Sequence, residues 1–314
     1  MKTRTIIAAG VAAISAFALT ACGGGGSAPA AGGGGGPACE QLVFGGPPEF
    51  EGRADGLKGI SETYGCDFKE FKALDTGGPL TVKALEDGTV QAADLFTTDP
   101  TIKEKGFVVL EDPKNNFAAQ NVVPLINKAK ATPDVSAALN AVSAKLTTDG
   151  LIGLNAKLGG ADKPDVGPVA KDWLTSNGLA GGAPAAGGGG SIIIGSADFP
   201  ESRVLAEIYA QTLEAKGFTV NRKFGIGSRE VYFPSLKDGS IDLIPEYTGT
   251  ALQYIDKKAP QKSAEEVYTA LKAAVPAGLT VLEKSAAEDK DAVVVTKATA
   301  DKYGKSLADY GTKK

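Results

Sequence analysis

Residues 236–250 read Leu236-Lys237-Asp238-Gly239-Ser240-Ile241-Asp242-Leu243-Ile244-Pro245-Glu246-Tyr247-Thr248-Gly249-Thr250. A helical segment closes on Gly239, the residue type that most easily takes the left-handed turn at a helix end. An apolar run follows over 241–244, then an aromatic-Thr pair, then Gly249 and a second helix starting near Thr250. The same grammar occurs 151 residues earlier. Leu85-Glu86-Asp87-Gly88-Thr89-Val90 matches Leu236-Lys237-Asp238-Gly239-Ser240-Ile241, and Phe96-Thr97 matches Tyr247-Thr248. Helix, glycine turn, buried strand and aromatic-Thr pair, written twice, predict two related α/β lobes. Helix-turn-strand units also resemble one another without kinship, and that alternative stands beside the first. Ligands of open α/β sheets sit beyond the carboxyl ends of the strands. Two lobes that each present an aromatic and a hydroxyl there predict a cleft between them.

Working outward, both halves of the chain alternate strands and helices. In the first half, 42–46, 68–74, 92–96, 107–110 and 121–126 read as strands, and 53–64, 79–87, 135–145, 148–157 and 168–177 as helices. In the second, strands at 191–194, 218–224, 241–244 and 291–296 alternate with helices at 202–216, 229–237 and 264–273. Val204, Leu205, Ile208, Tyr209 and Leu213 fall on one stripe of the 202–216 helix. Such alternation predicts parallel sheets with crossover helices. Two Gly/Ala/Pro stretches, 23–38 and 181–190, cannot bury a core and read as a tether and a linker. Residues 28–35 recur letter for letter as 183–190.

The 314 residues fit two domains of ordinary size. Lys+Arg is 33 against Asp+Glu 37, a net charge of -4, which lacks the basic footprint of a nucleic-acid binder. The chain has no histidine, which removes Ser-His and Cys-His catalysis and histidine metal sites together. Gly225-Ile226-Gly227 lacks the third glycine of a dinucleotide fingerprint, and no Walker A sequence is present. The expectation is a protein without catalysis, cofactor or metal. A hydrolase or transferase working through Glu246 and Asp291 is the enzymatic alternative.

Residues 1–22 form a basic then apolar leader, with Lys2 and Arg4 before an apolar stretch over 6–20. That stretch is too short to span a bilayer. It ends Leu19-Thr20-Ala21-Cys22, which resembles a bacterial lipobox and makes Cys22 the lipidated first residue of the mature chain. An ordinary secretory signal cleaved near Ala21 is the other reading. Outside the cytoplasm the two further cysteines, Cys39 and Cys66, pair as a disulfide closing a loop of 27 residues, for roughly 3 kcal/mol. Two free buried thiols are the alternative.

Three stretches carry candidate chemistry. At Pro245-Glu246-Tyr247-Thr248-Gly249-Thr250, the helix N-terminus, the Thr248 hydroxyl and the Tyr247 ring suit a small polar or zwitterionic ligand. A plain capped helix start with Tyr247 in the core competes with this. At Leu95-Phe96-Thr97-Thr98-Asp99-Pro100, Thr98 or Asp99 serves as N-cap and Pro100 as first helical residue, which leaves Thr97 unexplained. Arg53, after the turn Gly45-Gly46-Pro47-Pro48-Glu49-Phe50, is placed to clamp a carboxylate or is simply a solvated helix residue.

Taken with Gly195-Ser196-x-x-Phe199-x-Glu201, Arg53-x-Asp55-Gly56-Leu57 and Asp94-x-x-Thr97-Thr98-Asp99, these stretches resemble the substrate-binding lipoproteins of osmoprotectant ABC importers. These are the glycine betaine, choline and carnitine binding proteins. The resemblance implies a two-lobed α/β fold of the type II periplasmic-binding-protein kind. In that family the part resembling 191–310 comes first, so the order here implies a circular permutation. The implied organisation is a signal peptide over 1–22, a tether over 23–38 and a linker over 181–190. One lobe comprises 39–129 plus 289–314, and the other 130–180 plus 191–288, with hinges near Lys128 and Asp289.

The resemblance also implies an aromatic cage for a quaternary ammonium, held by cation–π attraction. Tyr247 and Thr248 match the family pattern. Phe96 and Asp291 stand where tyrosines are usual, Ala118, Ala119 and Gln120 where another is common, and Ala197 and Ser202 replace a Lys and a Gln. The cage is thinned to Tyr247, Phe96 and Phe199. Asp291 then attracts a cation directly, as for choline or another amine, and Arg53 favours a ligand that also carries a carboxylate. Thr97, Asp198, Ser202, Arg229, Gln120 and Asn121 complete the candidate ligand set. The implied protein is a monomeric, lipid-anchored, extracytoplasmic receptor that hands a small molecule to ABC permease and ATPase subunits. A sensory or adhesive module without an importer is the alternative.

Overall fold

The computed structural model describes residues 36–159, 164–181, 189–260 and 263–312. The lipobox at Cys22, the tether up to residue 35 and most of the 181–190 linker lie outside them. From the amino end the elements are β1 (Val43–Gly46), α1 (Leu57–Tyr64), β2 (Glu70–Ala73), α2 (Pro79–Glu86), β3 (Ala92–Phe96), α3 (Pro100–Glu104) and β4 (Val108–Val109). Then come β5 (Val122–Asn127), α4 (Pro133–Ser143), α5 (Thr148–Gly159) and α6 (Val166–Ser176). Beyond the linker follow β6 (Ser191–Gly195), α7 (Pro200–Ala215), β7 (Thr219–Lys223), α8 (Arg229–Asp238), β8 (Leu243–Tyr247) and α9 (Thr248–Ile255). The chain closes with α10 (Ala264–Ala274), β9 (Leu279–Val281), β10 (Asp291–Val295), α11 (Lys297–Tyr303) and α12 (Leu307–Tyr310).

The strands form two five-stranded sheets, ordered β2-β1-β3-β10-β4 and β7-β6-β8-β5-β9. The two orders correspond strand for strand, as the internal echo predicts. Each sheet is mixed, not parallel as the alternation suggests: β10 runs antiparallel to β3 and β4, and β5 antiparallel to β8 and β9. The physical reason is the direction of entry. Asp291, at the start of β10, pairs with Phe96 at the end of β3, and Val122, at the start of β5, pairs with Tyr247 at the end of β8. Each of these strands comes in from the other lobe at the carboxyl ends of the parallel strands, so it must run back against them.

This placement corrects two boundaries. β5 belongs to the second sheet, so the first lobe does not extend to residue 129. The crossing lies near 118–121 and 285–290, where Asn121 bridges Glu288 and the Asp289 N–H donates to the Gln120 carbonyl, not at Lys128.

Buried strands are apolar on both faces because helices cover both. Along β10, Val293 and Val295 join Phe44, Phe50 and Tyr310 on one side, while Ala292 and Val294 join Leu85 and Leu95 on the other. In the second lobe, Val122 and Ile126 pack with Leu205 and Trp173, and Val123 and Leu125 with Leu236 and Leu271. Pro124 sits inside β5 without a ladder N–H. The Tyr268 hydroxyl donates instead to the Leu282 carbonyl at 2.8 Å, beside the Leu282 N–H bond to Pro124. Cys39 and Cys66 are disulfide-bonded across the approaches to the parallel neighbours β1 and β2. The chain's last described turn lies against this corner: the Thr312 N–H donates to the Gly65 carbonyl, and the Tyr303 hydroxyl to Gln41 Oε1.

Candidate functional site

The two aromatic-Thr pairs end β3 and β8, and both hydroxyls are engaged by backbone. Thr97 Oγ1 accepts from the Lys290 N–H at 3.0 Å, while the Thr97 N–H donates to the Lys290 carbonyl at 2.9 Å. Thr248 repeats this on the other crossing segment: Oγ1 accepts from the Asn121 N–H at 3.0 Å, and its N–H donates to the Asn121 carbonyl at 3.0 Å. Each threonine therefore clasps the crossing strand where it enters the sheet. Holding a backbone N–H occupies one acceptor position of each hydroxyl, because a buried N–H without an acceptor is costly. Gln120 is likewise a cap. Its Oε1 accepts from the Thr250 N–H at 2.9 Å and fills the N-terminus of α9 that the sequence offers to a ligand. Asn121 holds the neighbouring crossing segment through Nδ2 to the Ser285 carbonyl at 3.1 Å.

Both candidate arginines are tied within their own lobes. Arg53 forks onto Asp55 at 2.9 and 3.0 Å and reaches Asp291 at 2.6 Å. Arg229 forks onto Glu246 at 2.8 and 2.9 Å and onto Thr250 Oγ1 at 2.8 Å. Burial opposes both charges. The facing carboxylates, Asp291 for Arg53 and Glu246 for Arg229, more than offset it and hold both guanidinium groups firmly protonated. Asp291 is thus ion-paired with Arg53. Asp94, buried in the same corner, has its pKa raised well above the usual range by burial and then by Asp291.

The lobes meet through a buried polar network past the carboxyl ends of β3, β6 and β8. Thr98, after β3, places Oγ1 2.9 Å from Glu201 Oε2 on α7 and 2.7 Å from Asp289 Oδ1 on the crossing segment. Asn155 of α5 donates to Glu201 Oε2 at 2.5 Å, and Tyr247 donates its hydroxyl to Glu201 Oε1 at 2.6 Å. Burial raises the pKa of Glu201, and burial followed by the Glu201 charge raises that of Asp289. Of the aromatic set, Phe199 and Tyr247 stand together with ring centroids 6.1 Å apart, Phe199 at 39% exposure. Phe96 packs its ring over Gly77. Asp198 pairs with Arg203 on the surface, and Ser202 accepts from the Ala197 N–H at 2.9 Å.

The structure thus brings Tyr247, Phe199 and Asp289 to one place and adds Glu201, Thr98 and Asn155. The sequence contains signals for two of these. Glu201 is a charged residue in the first turn of α7, just before its apolar stripe, and Thr98 becomes free once Asp99 is seen to cap α3 through the Thr101 N–H. Nothing local marks Asn155.

Two lobes of like topology, joined by two crossing strands and bridged at the carboxyl ends of their sheets, form the two-lobed α/β architecture of periplasmic binding proteins. A family profile described as the substrate-binding domain of ABC-type glycine betaine transport systems matches residues 28–176 and 190–314, and the chain belongs to that family. Among curated proteins, the "ergothioneine transport permease/ergothioneine binding protein EgtU" of Helicobacter pylori is 32% identical over 143 residues, 45% of this chain and 25% of that protein. A glycine-betaine-binding protein of Pseudomonas aeruginosa is 30% identical over 151 residues, 47% of this chain and 48% of that protein. The chain spans half or less of the length of these relatives. A solved polar amino acid ABC uptake transporter substrate-binding protein from Streptococcus thermophilus aligns over 86% of this chain and 77% of its own, at 12% identity and a TM-score of 0.40. Among the described residues, no helix is long and apolar enough to cross a membrane.

Proposed function

We propose that this protein is an extracytoplasmic, lipid-anchored receptor that captures a small organic cation and delivers it to an ABC permease and its ATPase. The observation that carries the reading is the buried Glu201 carboxylate beside the Phe199–Tyr247 pair where the lobes meet. Asp289 feels the charges of Glu201 and Asp291, while Asp291 itself is bonded to Arg53. The Phe199–Tyr247 pair offers the apolar, π-rich wall that suits a quaternary ammonium. Choline, glycine betaine and related amines are the ligand class. A thermal-shift series on the chain from Gly23 onward tests this. Ligand at 100 times its Kd adds about 2.7 kcal/mol, so an amine that binds moves the midpoint by roughly 5–10 °C. A folded protein unmoved by every quaternary, tertiary and primary amine would remove the cation reading.

The exchanged order of halves is part of the same proposal. The family match comes in two pieces on either side of the linker, and the last described turn touches the segment around Gln41 and Gly65. A chain rebuilt as 191–314 followed by 39–180, opened at the linker, should fold with an unfolding midpoint within a few degrees of the original. Aggregation of the rebuilt chain, or a midpoint lower by tens of degrees, would refute the permutation.

A further inference from the structure

One hydroxyl stands at the centre of the polar contact between the lobes. Thr98 Oγ1 lies within hydrogen-bond distance of two carboxyl oxygens, Glu201 Oε2 at 2.9 Å and Asp289 Oδ1 at 2.7 Å. A hydroxyl carries one hydrogen, so it donates to one of them only. The second contact needs a proton on a carboxyl group. Glu201 already receives Asn155 Nδ2 on Oε2 and the Tyr247 hydroxyl on Oε1, the pattern of a carboxylate. Asp289 is left to carry the proton, donating to Thr98, which donates on to Glu201.

We propose that Asp289 holds a proton while the lobes are together and releases it when they part, so that closure of this receptor takes up a proton. The proposal rests on the receptor reading only in treating the two lobes as parts that open and close. Thr98 belongs to the first lobe, and Glu201 and Asn155 to the second. Parting them returns both carboxyl groups to water, where an aspartate titrates near pH 4. Burial and then the Glu201 charge raise the pKa of Asp289, hydrogen bonds with the Thr98 side chain and backbone lower it, Asp291 raises it, and the net direction is well upward. The other charged groups nearby are engaged elsewhere. Arg53 is bonded to Asp291, Lys290 pairs with Glu288, Asp99 caps α3, Arg229 and Tyr232 bond Glu246, and the Tyr247 hydroxyl goes to Glu201.

The sign follows from linkage. A group whose pKa is higher in the closed state favours closure fully below its open-state value. It loses that contribution as pH rises through the closed-state value. Between the two, the ratio of closed to open protein falls up to tenfold per pH unit. The test is urea unfolding of the wild type and of Asp289→Asn from pH 5 to pH 9. The amide supplies a permanent N–H to Thr98, so wild-type stability should fall relative to the variant as pH rises, with a difference approaching one proton. Asp94 titrates with the same sign, which is why the difference is the readout. Parallel profiles for the two proteins would overturn the proposal. Should Asp289→Asn fail to fold, the small-angle scattering radius of the unliganded wild type decides. Expansion between pH 5.5 and 9 supports the latch, and a constant radius overturns it. Neither measurement needs a ligand, so a failed amine screen and a failed latch remain separate results.

Discussion

Arg229→Met will destabilise the protein by about 3–5 kcal/mol, read as a lowered urea midpoint. The Glu246 side chain is wholly buried in β8, and Arg229 is its only cationic partner among the described residues. Removing the guanidinium strands a carboxylate away from water. The same change frees Thr250 Oγ1, which loses the Arg229 donor at the start of α9. Replacing both members, Arg229→Met with Glu246→Leu, removes the stranded charge and should recover part of the loss. Recovery will be incomplete, because Glu246 also accepts from the Tyr232 hydroxyl at 2.6 Å and the Tyr247 N–H at 2.8 Å. A single variant as stable as the wild type would show that the pair contributes nothing.

Opening the Cys39–Cys66 bridge should cost roughly 3 kcal/mol, the loop-closure term for a 27-residue loop. The bridge ties the turn before β1 to the approach to β2, and the carboxyl end of the chain docks on it through the Gly65 carbonyl. The double variant Cys39→Ser, Cys66→Ser and the wild type in reductant should show the same lowered urea midpoint. Equal midpoints for oxidised and reduced wild type would contradict the expectation. Core substitution of Phe44 or Tyr310 provides the scale, because large-to-small changes at such buried aromatics cost about 3–5 kcal/mol.

Much of the architecture was legible from local pattern. The helix-glycine-strand units at 85–96 and 236–247 appear at their expected places, α7 follows its apolar stripe, and the sheets share one strand order. These features depend on neighbours a few residues apart, which is the range over which periodicity and turn chemistry act. Short pieces with weak pattern escape such reading, namely β9, α11 and α12, while α3 is marked only by its cap and first residue. The sheet to which β5 belongs was missed for another reason: a buried apolar run announces a strand but not its partner.

The site divides in the same way. Composition excludes histidine chemistry, and the motif residues mark where β3 and β8 end, so the strand ends at which the lobes meet were legible from the chain alone. What each polar group does there was not. Arg53 meets Asp291 across 238 positions, Thr97 meets Lys290 across 193, and Glu201 meets Thr98 across 103. Hydrogen-bond partners so far apart are chosen by how two sheets exchange strands, and no local spacing encodes that choice. Residue types put arginine, threonine and carboxylate near the cleft. Tertiary structure turned the threonines into clasps, the arginines into intra-lobe ion pairs, and Glu201 and Asp289 into the contact between lobes. A polar group buried on folding must take whichever partner the packing brings within 3 Å or lose its hydration uncompensated.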